Sequence, residues 1–199
     1  MKVDTMNELL EFLSHRRSVS INKLEEPGPN KKQIHQILTI AARVPDHGKL
    51  CPWRFIVLEG ESRKDAGKLL AEAWLAENPD AAPAKLDFEA ERFQKAPIVI
   101  AVVSHIREAK YPAWEQILSA GAACFNLCLA ANALGYGTNW VTGWYSYSEA
   151  FGKAMGLGEN EQFAGFLNIG SYEEQPVDRE RPVLSEIVTY WEPIKASNV

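Results

Sequence analysis

The chain is poor in cysteine and histidine, with three and four of them among 199 residues. An odd number of cysteines argues against a disulfide framework and is typical of a protein kept in the reducing environment of the cytoplasm. Cys124 and Cys128 would share one face of a helix, but no histidine lies near them in the sequence. We therefore interpret both as small buried hydrophobic residues and predict no metal site.

The sequence signatures of common catalytic sites are also missing. The chain has no Gly-x-Ser-x-Gly, His-Glu-x-x-His, Walker or Gly-x-Gly-x-x-Gly motif. Gly135-Tyr136-Gly137 has half of the dinucleotide pattern, but it precedes a predicted strand, whereas that motif follows one. If the protein binds a phosphate group, arginine side chains must hold it. The candidates are Arg16, Arg17, Arg43, Arg54, Arg179 and Arg181.

An excess of positive charge is absent as well. The net charge of −5 argues against general binding of nucleic acid, which needs a basic face. The N-terminus carries Asp4 and Glu8 and lacks the apolar centre of a signal peptide, so we expect none. A length of 199 residues and a hydrophobic content of 46% fit one domain, residues 1–199, with a sizeable core.

One long stretch has no charged residue at all, from Gln116 to Ser148. Its first half predicts a helix that is apolar on every face and must therefore be covered on all sides. Gly135 is placed to end this helix, and a strand is predicted from Tyr136 to Val141. A membrane span is the alternative, because a span needs about 20 mostly apolar residues. Polar interruptions and the ordinary composition elsewhere favour a buried helix and no membrane segment.

The remaining pattern alternates helices with short strands. We predict helices starting at Asp4 or Thr5 and at Asn30, a helix over 62–77 and a charged, exposed helix over 85–95. A short helix is expected over 147–155, and residues 184–191 close the chain. Strands are predicted at 53–58, as an interior strand, at 97–103, buried on both faces, and at 162–169. The order is that of a mixed α and β protein whose helices cover a sheet of four or five strands.

Three groups of residues could bind a ligand, and each has a purely structural alternative. Arg16-Arg17-Ser18 follows a helix end, where cations complement the helix dipole, but two guanidinium groups and a hydroxyl can also hold a phosphate. Arg43 and His47 flank a stiff Pro-Asp turn that is either a surface turn or a functional loop. Trp140, Thr142 and Gly143 could cover a planar ring or simply end a strand.

These pieces, taken in order, resemble the nitroreductase family of FMN enzymes, and most of all its small single-domain bacterial branch. The shared features are Arg-Arg-Ser after the first helix, Ala-x-x-Pro-Asp-His before Pro-Trp-Arg-Phe, and Trp-Glu-Gln before the apolar helix. Ala-Asn-Ala-Leu-Gly-Tyr-Gly, Trp-Val-Thr-Gly and a Gly-Phe-Leu-Asn-Ile-Gly strand follow. Each motif is weak alone, but their common order covers residues 7–191.

The resemblance implies an α+β fold with a mostly antiparallel sheet and a homodimer that shares two FMN molecules between its subunits. Arg16, Arg17 and Ser18 would contact the FMN, and Arg43 and His47 would reach it from the other subunit. Trp140, Val141 and Thr142 would lie beside the isoalloxazine ring, and Arg181 would meet the phosphate, although Arg179 is an alternative. The segment matching the nicotinamide-binding stretch of the family consists of Ala130, Ala131, Asn132, Ala133, Leu134 and Gly135.

The same resemblance implies that NAD(P)H reduces the FMN and that a nitroaromatic, quinone or similar small molecule then takes the hydride. Flavin carries this chemistry, which explains the missing acid–base motifs. Two departures from the family concern specificity: Cys51 replaces a common Gln, and Val141 replaces an Arg of close relatives. Other possibilities are reductive dehalogenation or flavin fragmentation on the same fold, and a non-catalytic flavin-binding protein.

Overall fold

A computed structural model describes residues 3–192, with side chains described from residue 7 onward. In this range the chain forms seven helices and four strands. The helices are α1 Val3–His15, α2 Lys31–Ala41, α3 Glu61–Glu77, α4 Pro83–Ala90, α5 Ala113–Ala133, α6 Glu149–Ala154 and α7 Leu184–Ile187. The strands are β1 Trp53–Glu59, β2 Ile98–His105, β3 Gly137–Val141 and β4 Glu161–Gly170.

The four strands form one sheet in the order β1-β2-β4-β3, and all neighbouring pairs are antiparallel. This confirms the α+β class and the expected number of strands. The prediction of an interior position for residues 53–58 is wrong, because among the described residues β1 pairs only with β2 and lies at a sheet edge. The strand is apolar because residues on both of its faces are buried, as shown by Trp53 and Leu58, which lie in different core clusters.

Strand β2 shows how the two core layers are built. Ile98, Ile100 and Val102 face α2 and α5 on one side of the sheet. The alternate residues Val99, Ala101 and Val103 face α3 and α6 on the other side. A strand buried on both faces needs apolar residues at every position. The prediction that β2 is buried on both faces is therefore confirmed.

Helix α5 is only partly covered within one chain. Ala123, Cys124 and Leu127 are buried against α2 and the sheet, whereas Trp114 is 66% exposed. Ile117, Leu118 and Phe125 are exposed as well. The expectation of cover on all sides is therefore not met by this chain alone, because a single sheet and one helix reach only one side of α5. The helix is long and apolar enough to cross a membrane, but half of its most apolar window is buried inside the fold.

The prediction of one exposed helix over 85–95 is only partly right, because several of its charged residues are exposed but the segment is not a single helix. Helix α4 ends at Ala90 and a separate helical turn follows at Arg92–Gln94, with the side chains of Glu89 and Phe93 fully buried. Burial opposes ionisation of Glu89, but hydrogen bonds from Arg92 and Lys85 outweigh it and lower the pKa of the carboxyl below its usual value. The buried charge of Glu89 is thus neutralised by Arg92 and Lys85, whereas Asp87, Glu91 and Lys95 are exposed.

Several element boundaries agree with the sequence to within one or two residues. Asn30 caps α2 through a reciprocal hydrogen-bonded box with Gln33, and Gly135 follows α5 with a φ of 88°. Helix α1 begins at Val3, so the backbone of Asp4 and Thr5 lies inside the helix and not before it. The side chains of these two residues lie outside the described part of the chain.

Candidate functional site

The segment after α1 is fixed along the edge strand β3. The amide of Val19 donates to the carbonyl of Thr138 at 2.9 Å, and the side-chain amide of Asn139 donates to the carbonyl of Val19 at 2.6 Å. These bonds place Arg16, Arg17 and Ser18 immediately before an attachment point on β3. Because Trp140 and Val141 end the same strand, the structure brings two of the three predicted groups into one region.

Arg17 is joined to the segment that carries Arg181. The Arg17 guanidinium donates to the carbonyl of Val177 and to Oδ1 of Asp178, the latter at 3.1 Å. Arg181 donates to the same Oδ1 atom at 2.9 Å. Two predicted phosphate ligands from opposite ends of the chain therefore meet on one carboxylate. Arg179 contacts the same carboxylate through its backbone amide, which donates to Asp178 at 2.8 Å.

Arg16 lies against α5 instead. Its guanidinium carbon is 5.6 Å from the ring centroid of Phe125, which is a cation–π distance. Arg16 is partly buried and Ser18 is exposed. The cluster thus combines one cation held by an aromatic ring, one cation held by a carboxylate and an exposed hydroxyl group.

The position of Trp140 depends on a glycine in the neighbouring strand. Its indole N–H donates to the carbonyl of Ala164 at 3.3 Å, and a Cβ on Gly165 would lie 2.1 Å from the indole nitrogen. Gly165 has a φ of 152° beside the register shift between β2 and β4. The glycine leaves room for a ring that remains 39% exposed. Trp140 is therefore available as a flat surface, while Val141 packs into the core and Thr142 is exposed.

The two residues of the third predicted group, Arg43 and His47, contact different parts of α5. The carbonyl of Arg43 accepts a hydrogen bond from the side-chain amide of Asn126 at 3.2 Å. Nδ1 of His47 is 2.6 Å from Oε2 of Glu115, at the start of α5. Arg16 contacts Phe125 further along the same helix, about 15 Å away at 1.5 Å per residue. Within one chain His47 therefore lies far from the Arg16–Ser18 segment, whereas the backbone of Arg43 lies beside Asn126, the chain neighbour of Phe125. That Arg43 and His47 reach the site of another copy stays a prediction.

The segment predicted to bind nicotinamide has a visible structural role. Ala130 and Ala131 are buried in the core under α2, and the Asn132 side chain donates to the carbonyl of Tyr136 at 2.8 Å. Leu134 packs on the same core cluster, and only Ala133 and Gly135 are exposed. The side chains of Ala130 and Ala131 cannot touch a ligand in this conformation, so the nicotinamide role stays a prediction that rests on the resemblance.

The cysteines behave as expected from the sequence. Cys124 and Cys128 are buried and free, and Cys51 is exposed and free. Burial raises the pKa of the Cys124 thiol to about 12 and raises that of Cys128 as well. Both buried thiols are therefore protonated at neutral pH, which excludes them as thiolate nucleophiles.

A polar cavity beside β3 contains residues that the sequence analysis did not single out. It has a volume of about 280 Å³ and is lined by residues that include Ser20, Arg92, Lys95, Tyr145, Asn139 and Asn168. Ser20 and Asn139 lie within two residues of Ser18 and Trp140, so their closeness in the sequence could have predicted that they line the same region. The positions of Arg92 and Lys95 carried no such signal, because they depend on how the segment after α4 turns back toward the sheet.

Arg92 is held firmly in place at this cavity. It donates to both carboxylate oxygens of Glu89, from Nε at 2.6 Å and from Nη2 at 2.8 Å, and its guanidinium lies over the ring of Tyr145 at 5.1 Å. The bidentate pair and the ring leave the guanidinium little freedom. The cavity thus presents a fixed cation, a lysine and two side-chain amides beside β3.

The chain is similar to known proteins over most of its length. The family model described as "Nitroreductase family" matches residues 13–171. A Haemophilus influenzae protein named "Putative NAD(P)H nitroreductase" is 38% identical over 187 residues, which cover 92% of this chain and 99% of the relative.

Two solved structures show the same fold. A nitroreductase-like family protein from Bacillus cereus has a TM-score of 0.82 at 23% identity, covering 93% of this chain and 96% of its own. A variant of NfnB from "sphigopyxis", described as an FMN and NADPH-dependent nitroreductase, has a TM-score of 0.70 at 20% identity, covering 91% and 97%. The family match spans most of the chain, and the first relative matches over nearly its whole length. The chain described here therefore belongs to the nitroreductase family.

Proposed function

We propose that this protein is an FMN-dependent oxidoreductase that passes a hydride from NAD(P)H to a nitroaromatic, a quinone or a similar small oxidised acceptor. The observation that carries the proposal is the meeting of Arg17 and Arg181 on one carboxylate beside β3, the strand that carries Trp140. Membership of the family supports it, as do the NAD(P)H in the name of the Haemophilus influenzae relative and the description of NfnB as FMN-dependent.

The residues present fit a phosphate group. Asp178 already shows that Arg17 and Arg181 can share one oxygen anion, and the exposed hydroxyl of Ser18 lies next to Arg17 in the chain. A phosphate monoester presents up to two negative charges to such a pair. We assign Arg16, Arg17, Ser18 and Arg181 to the phosphate end of FMN, with Arg179 outside it.

The residues at the end of β3 fit a flat ring. Trp140 offers a partly exposed indole, Thr142 is exposed, and a polar cavity lies beside the strand. Bound FMN would supply the hydride transfer chemistry itself. The protein would orient the ring with Trp140, Val141 and Thr142.

The exposed apolar side of α5 supports a homodimer. Trp114, Ile117, Leu118 and Phe125 leave a large apolar surface on one chain. Monomers rarely expose such a patch without an interaction partner. In the proposed dimer a second copy covers this side of α5, and Arg43 and His47 of each chain complete the FMN site of the other. We further propose a cytoplasmic location and no nucleic-acid partner.

Colour and initial rates test the proposal. Purified protein loaded with FMN and dialysed should stay yellow, and NAD(P)H should bleach it under anaerobic conditions. Initial rates measured against both substrates should give parallel double-reciprocal lines, because NAD(P)H gives up its hydride and leaves as NAD(P)+ before the acceptor enters the same pocket. A yellow protein that is inert to NADH and NADPH would indicate flavin storage. A protein that cannot be loaded with FMN would overturn the proposal.

A further inference from the structure

The segment after β4, residues 171–183, which we call the C-terminal arm, is tied to the segment between α1 and α2 by two ion pairs. Lys23 pairs with Glu174 at 2.8 Å, with both side chains largely exposed. Arg17 pairs with Asp178 at 3.1 Å, and the Arg17 side chain is only 18% exposed. Of the two pairs, the one between Arg17 and Asp178 also includes Arg181. A change at Asp178 therefore affects the arginine cluster, whereas a change at Glu174 does not.

Asp178 is the point where the arm and the arginine cluster meet. Its Oδ1 atom accepts hydrogen bonds from Arg17 at 3.1 Å, from Arg181 at 2.9 Å and from the backbone amide of Arg179 at 2.8 Å. The amide bond fixes the carboxylate to its own backbone, and the other two bonds fix both guanidinium groups to the carboxylate. Charge-assisted hydrogen bonds of this kind are stronger than neutral ones.

We propose that Asp178 is a positioning residue for the phosphate of the cofactor, acting through Arg181 and Arg17. This inference rests on the proposed function. Without the carboxylate, two adjacent guanidinium groups repel each other, and the arm keeps its contacts through Val177 and Glu174, neither of which touches the Arg181 side chain within the described residues. With the carboxylate, the two cations are held side by side before the phosphate arrives, so binding does not have to order them.

The contacts to Asp178 leave room for a phosphate on the same guanidinium groups. Each arginine has five N–H donors. Within the described residues, Arg17 uses donors on Nη1 for Val177 and Asp178, and Arg181 uses a donor on Nη2 for Asp178. The remaining N–H groups of both side chains can face a second anion. Asp178 therefore need not leave for the phosphate to bind.

The test compares FMN with riboflavin, which has the same ring and no phosphate. Protein freed of flavin is titrated with each compound for the wild type, Asp178→Asn and Asp178→Ala. We expect both variants to weaken FMN binding about five- to tenfold and to change riboflavin binding less than about twofold. Glu174→Gln is the matched control, because it removes the other ion pair of the arm, and it should bind both flavins like the wild type.

A double-mutant cycle identifies the route of the effect. If Asp178 acts through Arg181 and Arg17, Asp178→Asn should weaken FMN binding less in protein that already carries Arg181→Gln than in the wild type, because only Arg17 is then left to be positioned. Unchanged or tighter FMN binding in Asp178→Asn would overturn the inference, and tighter binding would mean that the carboxylate competes with the phosphate. An equal loss of FMN and riboflavin affinity would also overturn it, since it would indicate a general structural role.

The wild type separates this inference from the proposed function. A wild-type protein that binds FMN, together with an Asp178→Asn variant of equal affinity, overturns the inference alone. A wild-type protein that binds neither flavin overturns the proposed function and the inference with it. Asn is close in shape to Asp and the side chain is 67% exposed, so we expect the variant to fold with an unchanged melting temperature.

Discussion

Nδ1 of His47 lies 2.6 Å from Oε2 of Glu115, and the imidazole packs on the ring of Tyr111 with centroids 3.8 Å apart. This pair joins the loop after α2 to the first turn of α5. Asp46 stiffens the loop further, because its carboxylate accepts from the backbone amides of Leu50 and Cys51 at 3.0 and 2.8 Å. The imidazole is therefore held by its neighbours while it remains exposed.

Replacing His47 by Ala should affect the flavin more than the fold. Its contacts with Glu115 and Tyr111 are on the surface, where an ion pair contributes little to the free energy of unfolding. We expect a melting temperature within a few degrees of the wild type and a measurable loss of FMN affinity or turnover. Glu115→Gln should show a smaller loss of the same kind, because the amide holds the ring less firmly. Unchanged affinity and rates in His47→Ala would show that the family role fails at this position.

Arg16→Ala and Arg17→Ala should each weaken FMN binding roughly tenfold or more, because each change removes a charge-assisted contact worth about 1.5–3 kcal/mol. Equilibrium dialysis with FMN measures this directly. Lys23→Ala is a suitable control, since Lys23 lies in the same segment but is paired with the exposed Glu174. Full retention of FMN by the double variant after dialysis would refute the assignment of the phosphate end.

Glu161 should set a limit to acid stability. Hydrogen bonds from Arg54 at 2.7 Å lower the pKa of its carboxyl to about 2, and a hydrogen bond from the Gly158 amide acts in the same direction. A carboxyl whose pKa is lower in the folded than in the unfolded state stabilises the fold above pH 4.5 and loses that effect as the pH falls toward 2. The contribution at neutral pH is at most about 3 kcal/mol.

Denaturant unfolding of Glu161→Gln against pH measures that contribution. The variant should be less stable than the wild type at pH 7, and the difference should shrink as the pH falls from about 4.5 to 2. Glu149→Gln is the control, because its pair with Lys153 is on the surface and should give no such pH-dependent difference. A difference in stability that stays constant over this range would contradict the ionic role of Glu161.

The protein should form a dimer that does not dissociate readily at micromolar concentration, with an interface of more than about 2,000 Å² as in obligate dimers. Leu118→Glu places a charge within the exposed apolar side of α5 and should give monomers that lose FMN. Leu75→Glu is the matched control, since Leu75 is exposed on α3 at the opposite side of the sheet. A monomeric mass of the active wild type by light scattering would rule out the dimer.

Local patterns in the sequence predicted most of the fold. The continuous apolar run of β2, the cap at Asn30 and the glycine after α5 each act through neighbouring residues, and the structure confirms all three. The position of β1 at the sheet edge was not predictable in this way, because strand order depends on contacts between distant segments. Burial of Glu89 was missed for the same reason, since its partner Arg92 also packs over Tyr145.

For the candidate site, the sequence predicted single residues but not how they are joined. Arg17 and Arg181 were proposed separately, but only the structure shows that Asp178 joins them, because a lone aspartate in a polar segment has no distinguishing pattern. The cations at the polar cavity, Arg92 and Lys95, were missed. The nicotinamide segment remains a prediction, since packing already accounts for Ala130, Ala131 and Leu134.

The most direct test of the account is the visible spectrum of FMN-loaded protein under anaerobic conditions, recorded through one full cycle. Addition of one equivalent of NADPH or NADH should bleach the flavin bands near their maxima. Addition of one equivalent of a nitroaromatic or quinone, after removal of the oxidised nicotinamide, should restore them in full. A spectrum that stays oxidised with both nicotinamides, or stays bleached with every acceptor of these two classes, would contradict the proposed hydride transfer through FMN.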